Sequence, residues 1–174
     1  PYTTLFRSTV FRQTMFAEFE QRSHALFEDG TPLTREGLDE VYGELHEAYL
    51  PGIAIDERVR SGWSRIPHFY RAFYVYQYAT GMSSAINIAR TVRDEGEPAQ
   101  RRYLEMLAAG GSDYPMNILQ RAGVDLTQRE PLEVAMAELE SVIAEMESLA
   151  TQGVLEEAAK QAAAQAEEGQ DAQA

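Results

Sequence analysis

His68-Phe69-Tyr70-Arg71-Ala72-Phe73-Tyr74-Val75-Tyr76-Gln77-Tyr78 puts six aromatic rings into eleven residues, four of them tyrosines behind a single histidine. Apolar spacing continues through Met82, Ala85, Ile86, Ile88 and Ala89 towards Val92. It predicts one helix from His68 of about 25 residues, roughly 38 Å long at 1.5 Å per residue. Successive side chains on such a helix turn by about 100°, so Tyr70, Tyr74 and Tyr78 share one face and Tyr76 sits beside it. Aromatic stripes at helical spacing are more often packing than chemistry. Burying a phenol without a partner, however, costs on the order of 2–7 kcal/mol, and four cannot be hidden cheaply. A row of phenols led by an imidazole reads as the wall of a polar cleft.

Upstream, Phe11, Met15 and Phe19 recur every four residues with Phe16 beside them, predicting an amphipathic helix from about Thr4 to Phe27. Gly30 and Pro32 break it, and Thr34 opens a second helix with Leu38, Val41, Leu45 and Tyr49, closed by Pro51-Gly52. Residues 53–67 read as an irregular, packed connection marked by Trp63 and Pro67. Downstream, Gly81-Met82-Ser83-Ser84-Ala85 puts small residues mid-helix, where another helix can approach closely. Gly96 and Pro98 separate that helix from one with an expected inner face of Tyr103, Leu104, Met106 and Leu107, stopped by Gly110-Gly111. Ser112 or Asp113 is expected to cap a short helix with Pro115 near its start and Met116, Ile118 and Leu119 buried, ended by Gly123. A last helix from near Pro131 is expected to bury Leu132, Met136, Leu139, Ile143 and Met146. No alternating strand pattern persists, and the reading is all-α.

The 174 residues suffice for one domain with a substantial core. Apolar content of 44% with 25% charged residues is that of a globular chain. A net charge of −13 gives a nucleic-acid role little support, and no apolar run is long enough to span a bilayer. Cysteine is absent, which excludes disulfides and thiolate metal sites and is compatible with a reducing cytosol. The expectation is a cytoplasmic protein without a nucleic-acid or membrane partner. Pro1 at the start suggests a processed chain or part of a longer one.

Metal motifs fail on inspection. Glu20 and His24 are four apart, but a surface pair near a helix C-terminus explains them. His46-Glu47-Ala48-Tyr49-Leu50 imitates H-E-x-x-H until Leu50 takes the second histidine position. No metal site is expected within this chain. No nucleophile motif is present either, and Gly110-Gly111-Ser112-Asp113 reads as a helix stop followed by a cap more readily than as a phosphate cradle. His68 and the tyrosines remain, as groups able to donate hydrogen bonds to a developing oxyanion.

Four stretches carry a resemblance to a known family: residues 10–20 (Val10 to Glu20, V-F-R-Q-T-M-F-A-E-F-E); Pro67-His68-Phe69-Tyr70 with residues 73–81 (Phe73 to Gly81); Gly110-Gly111-Ser112-Asp113-Tyr114-Pro115; and Ala122-Gly123-Val124-Asp125. In this order they resemble oligoendopeptidase F, within the thimet-type zinc metallopeptidases. The resemblance implies the C-terminal helical subdomain of a clam-shaped, zincin-type oligopeptidase that cuts short peptides. It covers residues 8–150, with 1–7 an unmatched N-terminal stub and 151–174 an Ala/Gln/Glu-rich tail expected to fray or be disordered.

The same resemblance implies that zinc is the cofactor of the whole enzyme, held by an H-E-x-x-H region upstream of these residues. The partners implied are the missing N-terminal zinc-bearing part and a peptide substrate. His68 matches the family's histidine, which with Tyr70 is expected to bind substrate. Tyr74, Tyr76 and Tyr78 are the candidates, with His68, for stabilising the tetrahedral oxyanion. The alternative reading is a non-catalytic helical module that binds a protein partner.

Overall fold

A computed structural model describes residues 2–153 and 157, and among these the chain is helical with no strand. Except for Thr151, Gln152, Gly153 and Glu157, the tail expected to fray lies outside the described residues. The first rod runs from α1 (Tyr2–Leu5) through a π-helical segment (Phe6–Phe11) into α2 (Arg12–Glu28). Phe6 and Val10 in the π-helical segment are buried, and so are Met15, Phe16, Phe19 and Glu20 in α2.

Helix α3 (Arg35–Tyr49) begins where the sequence predicts, with the Thr34 hydroxyl accepting from the Gly37 amide at 3.1 Å. Its Tyr42 and Leu45 meet Met15, Phe16 and Phe19 in the main core. The connection that follows is ordered: α4 (Glu57–Arg60) and two 3-10 turns, Ser61–Arg65 and Pro67–Tyr70. It feeds Trp63 and Phe69 to the same core, where Phe19 lies 5.2 Å from Tyr42, 5.3 Å from Phe69 and 6.1 Å from Trp63, centroid to centroid. The Trp63 indole donates to Asp39 Oδ1 at 2.7 Å, so its one polar atom is satisfied.

The long helix does not start at His68. Arg71 leaves the 3-10 turn with extended backbone, Phe73 has φ of 53°, and α5 runs only from Tyr76 to Glu95. A left-handed residue ends any helix built through it. Tyr70, Tyr74 and Tyr78 therefore do not share one helical face. Within α5, Ser83 and Ser84 are buried, and this helix packs against α2 and the π-helical segment; Gly81 and Ala85 face outward. Gly96, at φ of 70°, turns the chain directly into α6 (Glu97–Ala109).

Three expected faces differ from the observed ones. Helix α6 turns Ala99, Tyr103 and Met106 inward, a spacing that leaves Leu104 and Leu107 exposed. Tyr103 and Met106 border a small core of Ile88, Ala122 and Val124. Before α7 (Pro115–Arg121), Tyr114 occupies the cap position, and Asp113 acts one residue earlier. Its Oδ1 accepts from the Tyr114 amide at 2.7 Å and the Asn117 side chain at 2.9 Å, and its other oxygen pairs with Arg121. Of the three α7 residues expected inside, Ile118 is buried and Met116 is exposed.

Helix α8 (Glu130–Thr151) buries Pro131 and Ala135, with Leu132 exposed. Asn87 on α5 donates to the Pro131 carbonyl at 2.8 Å, which ties the start of α8 to α5. The described residues up to Ala135 form one compact unit and those from Met136 a second. In the second, Ile143 and Met146 are exposed, contrary to the buried stripe expected. Among the described residues no helix is long and apolar enough to cross a membrane.

Truncating a buried aromatic costs transfer energy plus a cavity. Phe19→Ala is expected to lower unfolding free energy by about 3–5 kcal/mol in urea denaturation. Leu104→Ala is expected to change it by less than about 0.5 kcal/mol, as befits a residue outside the core.

Candidate functional site

Pro67 starts the 3-10 turn that carries His68, and α5 carries Tyr78 in its first turn. Between them Glu20, only 7% exposed, accepts a hydrogen bond from the Phe73 amide at 2.7 Å. The exposed His24 ring lies 4.7 Å from the Phe73 ring. The Glu20/His24 pair expected at the surface is thus a buried carboxylate and an exposed imidazole that meet the same residue. Glu20 falls on the stripe set by Phe16 and Phe19, a position where a carboxylate needs a donor. That was the available signal for it; its partner, 53 residues on, gave none.

The bend at Phe73 brings three of the candidate side chains together. The Tyr78 hydroxyl lies 3.4 Å from His68 Nε2 and 3.3 Å from the Tyr74 hydroxyl. The His68 ring is parallel to the Tyr74 ring at 6.3 Å and edge-on to Tyr78 at 5.7 Å, while the Arg71 guanidinium sits 5.1 Å over Tyr74. All three are half-buried at the margin of the main core.

Tyr70 and Tyr76 lie elsewhere. Tyr70 is 92% exposed and takes no part in the trio. Tyr76, 50% exposed, lines a separate cleft of about 500 Å³ with Glu18, Glu20, Tyr49 and Phe73. There the Tyr49 hydroxyl donates to Glu18 Oε2 at 2.8 Å, and burial followed by this bond pushes Tyr49 up to about 12.

The hydrogen bond with Tyr74, then partial burial and the neighbouring phenol's charge, raise Tyr78 above the ordinary phenol value. A phenol held above its ordinary value keeps its proton through neutral pH. The zinc implied for the family does not fit these residues. Among the described residues no three His, Asp or Glu side chains converge on a possible metal site.

Residues 3–138 match peptidase family M3. The chain belongs to that family. It is similar to oligopeptidase PepF of Bacillus subtilis (strain 168), with 50% identity over 145 residues, 83% of this chain and 22% of that protein. Group B oligopeptidase PepB of Streptococcus agalactiae serotype III is 41% identical over 155 residues, 88% of this chain and 26% of that one. In three dimensions the chain is similar to the crystal structure of oligoendopeptidase-F from Enterococcus faecium, with a TM-score of 0.83 and 44% identity over 87% of this chain and 29% of that one. The chain thus spans about a quarter of the length of these relatives.

Removing the Tyr74 hydroxyl removes the largest cause of the Tyr78 shift. Spectrophotometric titration is expected to show Tyr78 ionising above pH 10 in the parent and nearer the ordinary value in Tyr74→Phe. A raised folded-state value stabilises the fold fully below the unfolded phenol's value, near 10. That contribution is lost as pH rises through the folded one, so the alkaline limb of the stability profile should flatten in Tyr74→Phe.

Proposed function

We propose that this chain is the C-terminal helical part of a longer, cytoplasmic, zinc-dependent oligoendopeptidase, and that it supplies the peptide-binding wall of the cleft. The observation that carries the reading is the chain of contacts His68–Tyr78–Tyr74, half-exposed and within 3.4 Å at each link. Family membership and 50% identity to an oligopeptidase support the peptide as substrate. Zinc enters only with the rest of the longer enzyme, and every role assigned here belongs to this chain's own side chains.

As the scissile amide carbon becomes tetrahedral, its oxygen gains negative charge. A phenol placed before the reaction stabilises that charge without reorganising, which is why such donors act on turnover more than on binding. Tyr78 is the donor in this reading: its oxygen accepts from the Tyr74 hydroxyl and lies 3.4 Å from His68 Nε2, which orients it and leaves its own proton for the oxyanion. Tyr76, on the other cleft, binds the peptide away from the reacting bond, and the exposed Tyr70 is the least engaged.

The test uses the full-length enzyme carrying this chain. Tyr74→Phe or Tyr78→Phe is expected to lower kcat by about 10²–10³, or 2.7–4 kcal/mol, with KM little changed. Unchanged turnover in both would leave these rings as packing, and the helical interaction module would then be the better reading. The 174-residue chain alone is expected to cleave no peptide and to hold no stoichiometric zinc by metal analysis.

A further inference from the structure

A second cleft, of about 520 Å³, is lined by His68 together with Arg12, Gln13, Tyr42, His46 and Arg65 among others. No carboxylate lines it. The chain has 28 acidic and 15 basic residues, and arginines 22, 35, 58, 60, 90, 93, 101, 102 and 121 each pair with an acid. Arg12 and Arg65 have no acidic partner among the described residues. Arg12 instead lies 5.5 Å over the Phe16 ring.

The polar atoms here are also unsatisfied. Gln13 Oε1, His46 Nδ1 and His68 Nδ1 are the buried side-chain atoms without a hydrogen-bond partner among the described residues, and all three belong to residues of this cleft. Buried polar groups are nearly always paired; of these three, an imidazole nitrogen carrying its proton can donate to an anion, whereas the Gln13 amide oxygen only accepts. Burial, and next the Arg12 charge, push His46 down, which keeps its imidazole neutral at pH 7. Both guanidiniums also reach Tyr42, where they oppose the upward push of burial.

We propose that this cleft binds a carboxylate, the free C-terminus of a bound peptide. Guanidiniums match a planar oxyanion with paired N–H donors, which favours a carboxylate over a neutral amide. The C-terminus is the source because His68 is common to both places: its Nε2 meets Tyr78 of the peptide wall, and the same ring lines the cleft. A peptide lying on the wall therefore ends beside the two arginines after a short reach, at about 3.3–3.6 Å per extended residue. The substrate class is short peptides with a free carboxylate near the cleaved bond. This rests on the peptide-wall reading and adds an end-recognition site to it.

The experiment titrates the 174-residue chain with alanine pentapeptide as the free acid and as the C-terminal amide. The His46 imidazole resonances report the cleft and the Tyr74 and Tyr78 ring resonances report the wall. The acid is expected to bind at least about tenfold more tightly than the amide and to shift His46, which the amide leaves in place. Arg12→Gln and Arg65→Gln, each checked for unchanged helicity, are expected to remove about tenfold of the acid's affinity and none of the amide's. Equal effects of acid and amide at His46, or arginine variants that titrate like the parent, would overturn the carboxylate site whatever the tyrosines show. An acid that shifts His46 while the tyrosines stay still would uphold the carboxylate site and remove the peptide wall instead.

Discussion

Glu20 accepts from the Phe73 amide at 2.7 Å, and Phe73 sits at φ of 53°, where a side-chain-bearing residue is strained. The left-handed conformation costs roughly 1–2 kcal/mol. A hydrogen bond to a charged group contributes about 1.5–3 kcal/mol, so the two are of similar size and the carboxylate is what makes the bend tenable. Everything at the site follows from the bend. It separates the 3-10 turn bearing His68 from α5 bearing Tyr78, and brings the Tyr74 ring against both. A continuous helix would have carried His68 and Tyr78, ten residues apart, about 15 Å along its axis; here they are 3.4 Å apart at their polar atoms.

This dependence explains which parts of the molecule were legible in the sequence. Helices α2 and α3 read correctly because their signals are local: a four-residue apolar repeat at Met15 and Phe19, and a threonine cap at Thr34. The small residues Ser83 and Ser84 likewise announced a close helix approach. Periodicity misled where more than one face was apolar. Helix α6 carries Ala99, Tyr103 and Met106 as well as Leu104 and Leu107, and only contact with Ile88 and Val124 decides between them. The start of α5 was illegible for a different reason: tyrosine and phenylalanine tolerate helix, and the residue that forbids it lies on α2, 53 positions earlier.

The same logic applies to the side chains of the site. A histidine after a proline at the head of an aromatic run was visible at once, and its company was not. The sequence put Tyr70 with Tyr74 and Tyr78; the bend puts Tyr70 into solvent and Tyr76 onto the cleft beside Glu18 and Tyr49. Arg12, Gln13, His46 and Arg65 come from separate segments, and nothing in their local sequence announces a common cavity. His68 belongs to both arrangements, its Nε2 meeting Tyr78 and its residue lining the cleft with Arg12 and Arg65.

The most direct measurement of this account is the crystal structure of the Glu20→Ala chain. With the carboxylate gone, Phe73 should leave the left-handed region and the Tyr74 and Tyr78 hydroxyls should move beyond hydrogen-bond reach of each other. A variant that keeps φ near 53° at Phe73 and the 3.3 Å contact between the two phenols would show that the bend stands without Glu20, and would contradict the account at its base.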